Sequence, residues 1–303
     1  MAEKNVTLFV GNGVNRADKT AISWDDLLKE ISNEDTKLIS DELGMTLRYE
    51  YIDTVAEERS IKIKRAVAER TQEKAKEIIG KLNSVHRQIM ELPIKTIFTT
   101  NYDYSLELSV DKRFVPVQTT KERVYSFYRK QRIADKAIYH IHGECRYPNS
   151  ICLGFEHYAG MLEKMRSRLV KSTETPDKTS KFHLHDVLTG IEQADEAWYY
   201  DFFRNNIIFL GFGVDPSEED VWWLITYRRK LKEQYPNLIR NRLIYIDTTP
   251  IGKRTKADEA KEKVLNAMDV EIHRTEGRTY REKYQNAIAF LKEITTAEEQ
   301  RNV

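Results

Sequence analysis

Thr96-Ile97-Phe98-Thr99-Thr100-Asn101-Tyr102-Asp103 is the stretch on which the reading of this chain turns. An apolar, β-type run from Ile94 to Phe98 ends in two threonines, then places an amide and a carboxylate two residues apart, at Asn101 and Asp103. In an open α/β sheet, ligands bind just outside the carboxyl ends of the strands. Polar side chains directly after a buried strand therefore stand where chemistry would occur. Asn and Asp are also good helix N-caps, so these two residues could simply start the next helix, Tyr104 to Leu108. From this stretch alone both readings are open.

Other strand ends repeat the pattern. Val6 to Val10 is a short β-rich run of the length of a buried parallel strand. It ends in Gly11-Asn12-Gly13-Val14-Asn15-Arg16, where glycines permit a tight turn and a close approach of backbone to a ligand. Ala137 to His142 alternates and runs into Gly143-Glu144. Ile207 to Leu210 leads into Gly211-Phe212-Gly213-Val214-Asp215, and Leu243 to Ile246 ends at Asp247. Shorter strands are expected at Arg113 to Gln118, Ser150 to Leu153 and Val270 to His273.

Helical patterns lie between these runs. Ser23-Trp24-Asp25-Asp26 opens one helix in a capping-box arrangement, and Ser217 with Asp220 opens another in the same way. Glu156 to Leu169, Ile191 to Arg204, Lys256 to Met268 and Tyr280 to Ile294 read as helices. The aromatic cluster Trp198, Tyr199, Phe202 and Phe203 reads as core. Lys171 to Lys181 reads as a polar loop. The alternation predicts an α/β fold, a mostly parallel sheet with helices on both faces. A smaller helical module comes from insertions at about 35–92 and 156–205 within one domain spanning 1–303.

The composition narrows the function classes. Lys plus Arg is 49 and Asp plus Glu is 48 in 303 residues, so a nucleic-acid partner is not indicated by a basic excess. No apolar run is long enough for a transmembrane helix. The first residues have no signal-peptide layout, and two cysteines make no disulfide framework. A cytoplasmic protein is expected. The charged layer from Asp53 to Glu91 reads as a solvated helix face or an oligomer contact.

Taken singly, each strand-end motif is a weak signal. Gly11-x-Gly13 lacks the last glycine of a dinucleotide fingerprint, because Arg16 stands there. His140 and His142 would share one face of their strand, and a histidine beside a glycine at a strand end can act as a base near neutral pH. A packed core histidine is the plainer reading. His140, His142, Cys145 and Cys152 are potential metal ligands, but their spacing matches no paired zinc motif. No metal is expected. Asp247 reads equally as a turn residue.

In order, however, the motifs resemble those of the sirtuin superfamily, and most closely its bacterial sirtuin-like branch. Val10-Gly11-Asn12-Gly13-Val14-Asn15, followed by Ser23-Trp24-Asp25-Asp26-Leu27-Leu28, is similar to that family's opening glycine motif and following helix. Thr99-Thr100-Asn101-Tyr102-Asp103 resembles its Asn-x-Asp motif. Ile141-His142-Gly143 resembles its His-Gly motif, and Leu210-Gly211-Phe212-Gly213-Val214-Asp215 its late glycine motif. The resemblance covers about Val6 to His273.

It implies a Rossmann-like domain with NAD as substrate. Gly11, Gly13 and Asn15 would meet phosphates and ribose, and Asn101 and Asp103 the nicotinamide ribose and carboxamide. His142 would be the catalytic histidine, with Gly211, Gly213 and Asp247 on the adenosine side. Zinc-bearing deacylases of the family carry four cysteines and a Phe-Arg pair after the first glycine motif. This chain has two cysteines and lacks that pair. The resemblance therefore implies the branch similar to NAD-cleaving effectors of antiphage defence, with no zinc. A deacylase, an ADP-ribosyltransferase, or a non-catalytic NAD or ADP-ribose sensor are the alternatives. The tail beyond His273 is too short for a sensor domain of its own, so control is expected through a homo-oligomer or a separately encoded ATPase or phage-sensing partner.

Overall fold

The computed structural model describes residues 5–17, 27–28, 30, 44–55, 60–79, 84–121, 124–170, 184–191, 193–250 and 252–301. The helix start expected at Ser23 to Asp26 and the loop at Lys171 to Lys181 lie outside them. The strands are β1 (Val6–Val10), β2 (Thr96–Thr99), β3 (Lys130–Ile133), β4 (Lys136–His140), β5 (Asn206–Leu210), β6 (Leu243–Asp247) and β7 (Val270–Arg274). They form a seven-stranded sheet in the order β3-β4-β2-β1-β5-β6-β7. Every pairing is parallel except β3 with β4.

The order explains where a site can lie. From β1 the chain steps outward to β2 and then β4 on one side, while β5, β6 and β7 step outward on the other. The direction reverses between β1 and β5, which pair directly from Val6↔Asn206 to Val10↔Leu210. The loops leaving these two strands diverge to opposite faces, and a crevice opens at their carboxyl ends. Gly11 and Gly211 are the first residues of those loops.

Side-chain alternation along β1 divides the core. Phe9 faces one layer with Phe98, Phe209 and the aromatic helix α8 (Trp198–Arg204). Trp198 meets Phe98 edge-on at 5.2 Å between ring centres. Leu8 and Val10 face the other layer, with Ile97, Ile208 and Ile246, against α4 (Ser84–Glu91) and α11 (Tyr280–Arg301). The Trp198–Phe203 cluster is buried, as its sequence indicated. Burying side chains of this size contributes roughly 1.5–3 kcal/mol each.

A third apolar cluster forms the smaller helical module. Tyr49 and Ile52 of α2 (Met45–Val55) and Ile63 and Val67 of α3 (Ser60–Ile79) pack on Tyr102, Tyr104, Ile151 and Leu153. The module therefore sits over the carboxyl ends of β2 and β4. Helix α4 belongs to the sheet layer instead.

Three local expectations change. The helix expected over Ile191 to Arg204 forms only from Trp198, with Ala197 extended before it. The stretch Arg113 to Gln118 forms no strand. Its Val117 N–H and C=O bond to the side-chain amide of Gln131, at 3.0 and 2.9 Å, so a side chain takes the place of a neighbouring strand. Ser150 to Leu153 likewise forms no strand, its first residue closing the turn Pro148–Ser150. Strand β3, Lys-Gln-Arg-Ile, has no apolar run to announce it. It is an edge strand, where charged residues suit exposed ladder groups. The remaining helices are α1 (Gly13–Arg16), α5 (Ser105–Val110), α6 (Phe155–Leu169), α7 (Leu184–Thr189), α9 (Glu219–Gln234) and α10 (Lys256–Ala267).

Candidate active site

The loops after β1 and β5 are joined backbone to backbone. Gly11 N–H donates to the Leu210 carbonyl at 3.0 Å, and Gly13 N–H to the Gly211 carbonyl at 2.8 Å. A Cβ on Gly11 would lie 2.5 Å from the Phe212 Cα, so this glycine serves the contact between the loops. Gly213 meets nothing within 4 Å of where its Cβ would be and faces open space.

A cleft of about 600 Å³ opens at this switch point. Gly13, Gly211, Gly213 and His142 line it, together with Tyr102, Glu218 and Tyr245. Its volume falls within the usual range for small-molecule sites. Gly11 lies behind the wall, and Asn101, Asp103, Asn15 and Asp247 are held by neighbours at its edge.

His142 is buried, yet it is not a core histidine with its nitrogens spent on backbone. Its Nε2 lies 2.9 Å and 3.2 Å from the two carboxylate oxygens of Asp220, and Tyr158 packs edge-on against its ring at 5.3 Å. A carboxylate accepts, so Nε2 carries the proton and Nδ1 is the nitrogen left to accept one. Burial alone would pull this imidazole down. The charge and hydrogen bond of Asp220 overcome that and hold it above its ordinary value.

Asp220 is the partner that the sequence reading missed, having taken it as a helix cap. Helix α9 begins at Glu219, and its turn is closed by Asp215, whose Oδ1 accepts from the Ser217 N–H and hydroxyl. Asp220, Leu224 and Arg228 recur every four residues and are all fully buried. An acid in register with the apolar face of a helix was the available signal. Glu218 was missed with it. One of its oxygens is buried without a partner. Burial pushes its carboxyl up to about 8; the His142 charge opposes this, and Asp220 and Asp215 add to it.

Asn101 and Asp103 have different surroundings. Asp103 accepts from the Asn15 side-chain amide at 2.8 Å and from the Ser105 N–H at 2.8 Å, so it fixes the turn that leads into α5, whose N-cap is Tyr104, and ties the β1 loop to the β2 loop. His86 lies 2.7 Å from the other side of that Asn15 amide. Asn101 is buried with its Oδ1 unbonded, a polar atom that a ligand donor could satisfy. Its backbone is fixed from two sides: its N–H bonds to the Thr99 hydroxyl, and its carbonyl accepts from His140 Nδ1 at 2.9 Å.

His140 differs from His142 in having both nitrogens engaged. Nδ1 meets a carbonyl, and Nε2 meets the Glu107 carboxylate at 2.9 Å. Both partners only accept, so both nitrogens carry protons and the ring is an imidazolium. Burial opposes this charge, but Glu107, then Glu144 and the Asn101 carbonyl, raise the ring to about 9. A histidine with a raised folded value contributes stability that is complete below its unfolded value of 6.5 and is lost as pH climbs toward 9. The urea midpoint should therefore fall across that interval, and Glu107→Gln should flatten the slope. A wild-type midpoint that stays level from pH 6.5 to 9 would contradict the imidazolium.

The remaining predicted positions are structural neighbours of the cleft. Asp247 accepts from the Thr249 N–H and from Arg254 Nη1, at 2.9 and 2.5 Å. Cys145 and Cys152 are free and buried, and burial pushes the Cys152 thiol up to about 12. Among the described residues no three His, Cys, Asp or Glu side chains gather as a metal site, and no helix is long and apolar enough to cross a membrane.

The sequence profile of the SIR2-like domain matches residues 95–273, more than half of the chain. No curated protein matches the chain significantly.

Proposed function

Because the chain belongs to the SIR2-like family, whose domains use NAD, we propose that it is an NAD⁺ hydrolase that releases nicotinamide and ADP-ribose. The observation that carries this reading is His142, oriented by Asp220 through Nε2 and lining the cleft at the sheet's switch point. A binding module has no use for a histidine so oriented. Asp-oriented imidazole is an arrangement suited to proton transfer.

NAD would supply the bond between ribose and nicotinamide, whose breaking builds positive charge on the ribose. The glycine loops, where Gly13, Gly211 and Gly213 line the cleft, would hold its phosphates and ribose, with Gly11 and Asn15 fixing those loops from behind, and the β6 end, where Asp247 stands, would approach the adenosine. His142 Nδ1 accepts a proton from water or a ribose hydroxyl. Asp220 fixes the ring and stabilises its charged form. Asn101, whose carboxamide oxygen is buried and unbonded between the lining residues Thr100 and Tyr102, would turn it to the ribose, and Asp103 keeps the β1 and β2 loops in register.

Glu218, protonated at neutral pH, is a hydrogen-bond donor in the cleft wall. Raising the pH through about 8 ionises it and removes that donor. NAD cleavage should therefore decline on the alkaline side, and Glu218→Gln, which keeps a donor without a titration, should lose that decline. An unchanged alkaline limb in this variant would remove Glu218 from the mechanism.

The deciding assay is NAD consumption by the purified chain with product analysis. Nicotinamide and free ADP-ribose in equal amounts are expected. ADP-ribose transferred to protein or to an acyl group would make the chain a transferase or deacylase. Tight NAD binding without turnover, persisting with candidate partner proteins added, would make it a sensor. An effector role in antiphage defence by NAD depletion belongs to the same reading, with a homo-oligomer or a separately encoded ATPase or phage-sensing partner holding it silent.

A further inference from the structure

The glycine loop after β5 and the end of β6 belong to one β-α-β unit, with α9 between two parallel strands. In such a unit the phosphates of a dinucleotide lie at the glycine turn after the first strand, and the end of the second strand meets the adenosine ribose. A carboxylate there accepts from the ribose 2′-hydroxyl, whereas a basic side chain there accommodates a phosphate on that hydroxyl.

Asp247 is the acid at the end of β6. It is buried, and its side chain does not line the cleft. One of its carboxylate oxygens accepts from the Thr249 N–H at 2.9 Å and the other from Arg254 Nη1 at 2.5 Å. Arg254 is held in turn by Glu262, 2.8 Å from its other terminal nitrogen. The carboxylate is committed to its own loop and offers no free face to a ribose diol.

Two lysines line this end of the cleft instead. Lys253 follows β6, and Lys261 lies on α10. The Lys253 ammonium lies 5.5 Å from the centre of the Tyr280 ring, and that of Lys261 5.5 Å from the centre of the Tyr245 ring. Both rings line the same cleft. An aromatic face holds a cation in place without neutralising it. Lys253 has no carboxylate within ion-pair distance among the described residues. Lys261 gives one proton to the Gly213 carbonyl at 3.0 Å, and an Asp258 carboxylate oxygen stands 3.7 Å away, beyond a hydrogen bond. The diphosphate of a dinucleotide does not need these two cations. Arg16 lines the cleft from α1, directly after the first glycine loop, and has no carboxylate partner among the described residues. A phosphate monoester is close to a dianion at neutral pH, and two ammonium groups match its charge.

We propose that the cleft takes NADP⁺, the dinucleotide phosphorylated on its adenosine ribose, in preference to NAD⁺, and that Lys253 and Lys261 read the 2′-phosphate. This rests on the reading of the cleft as the NAD site. In its hydrolysis the oxygen of water bonds to the ribose carbon as the bond to nicotinamide breaks, one proton is released, and the second product is 2′-phospho-ADP-ribose.

Calorimetric titration of the full chain with adenosine 2′,5′-bisphosphate and with adenosine 5′-monophosphate tests the preference apart from cleavage. The bisphosphate should bind about tenfold more tightly at low salt, as charge-assisted bonds predict. The margin should shrink as ionic strength rises. Lys253→Gln/Lys261→Gln should bring the two ligands within about twofold of each other. If the double variant does not fold, Lys253→Gln, a change at an exposed residue, should still lose at least about threefold of the margin. Cleavage should follow the same ranking, with kcat/KM higher for NADP⁺ than for NAD⁺ in the wild type and level in the double variant. Equal affinity of the wild type for the two ligands, or a margin unchanged in the lysine variants, would overturn the proposal and leave the NAD reading standing. So would adenosine 3′,5′-bisphosphate binding as tightly as the 2′,5′ isomer, because charge and not position would then be recognised. The expected margin without turnover of either dinucleotide would uphold the phosphate site and remove the hydrolase. No binding of any adenine nucleotide, NAD⁺ included, would overturn both.

Discussion

His142→Ala should leave the fold and NAD binding in place while slowing NAD cleavage about 10²–10⁴-fold, the range of general acid–base help from one side chain. The imidazole lines the cleft and is held by Asp220 through Nε2, so its loss removes the proton acceptor of the proposed reaction. The pH profile gives an independent check. Asp220 holds His142 above its ordinary value, so a rate that needs the neutral ring should have an acid limb above about pH 6.5. Asp220→Asn removes the charge that raises it. The limb should then move to lower pH, and the maximal rate should fall because the ring is no longer fixed in one tautomer. Full cleavage by His142→Ala, or an acid limb unmoved in Asp220→Asn, would mean that the base lies elsewhere. Circular dichroism and a thermal scan of both variants separate lost chemistry from lost fold.

Gly11→Ala and Gly211→Ala should each destabilise the chain by about 2–4 kcal/mol, the sum of a forced backbone displacement and weakened hydrogen bonds between the loops. The added Cβ at Gly11 would sit 2.5 Å from the Phe212 Cα and 2.6 Å from the Gly211 oxygen. Those atoms are backbone and cannot turn aside as a side-chain tip would. Gly211 has φ +63°, where a side chain is strained, and its Cβ would come within 2.7 Å of the Val14 nitrogen. Gly213→Ala is the contrast. Its Cβ meets nothing within 4 Å, so urea unfolding should change by less than about 1 kcal/mol. Because Gly213 lines the cleft, the same variant should weaken NAD binding. Equal stability losses at Gly11 and Gly213 would show that the loops are not locked to each other by close backbone contact.

These glycines illustrate what pattern reading can and cannot extract. Their spacing after β1 and β5 marked two special turns, and the expectation was close approach to a ligand. At Gly11 the close neighbour is the other loop. A linear pattern records that space is needed at a position without recording what occupies it. Asn101 and Asp103 show the same limit: the first is a buried amide with an unbonded oxygen, the second a turn residue and a tie to Asn15. Their separation in sequence could not divide those roles. Strand β3 was invisible because an edge strand can be built from lysine, glutamine and arginine, and apolar periodicity is the signal that reveals strands.

From sequence alone came the α/β alternation, six of the seven strands, the aromatic core helix and the order of the motifs. All of these depend on local composition: β-branched and aromatic runs bounded by glycine and polar turns report burial wherever they occur. The pairing of His142 with Asp220 and the burial of Glu218 beside them were decided by tertiary structure. Each joins residues from separate elements, 78 residues apart for His142 and Asp220. Their chemistry comes from mutual distance and shared burial, which shift charge and protonation only once the sheet has brought the strand ends together.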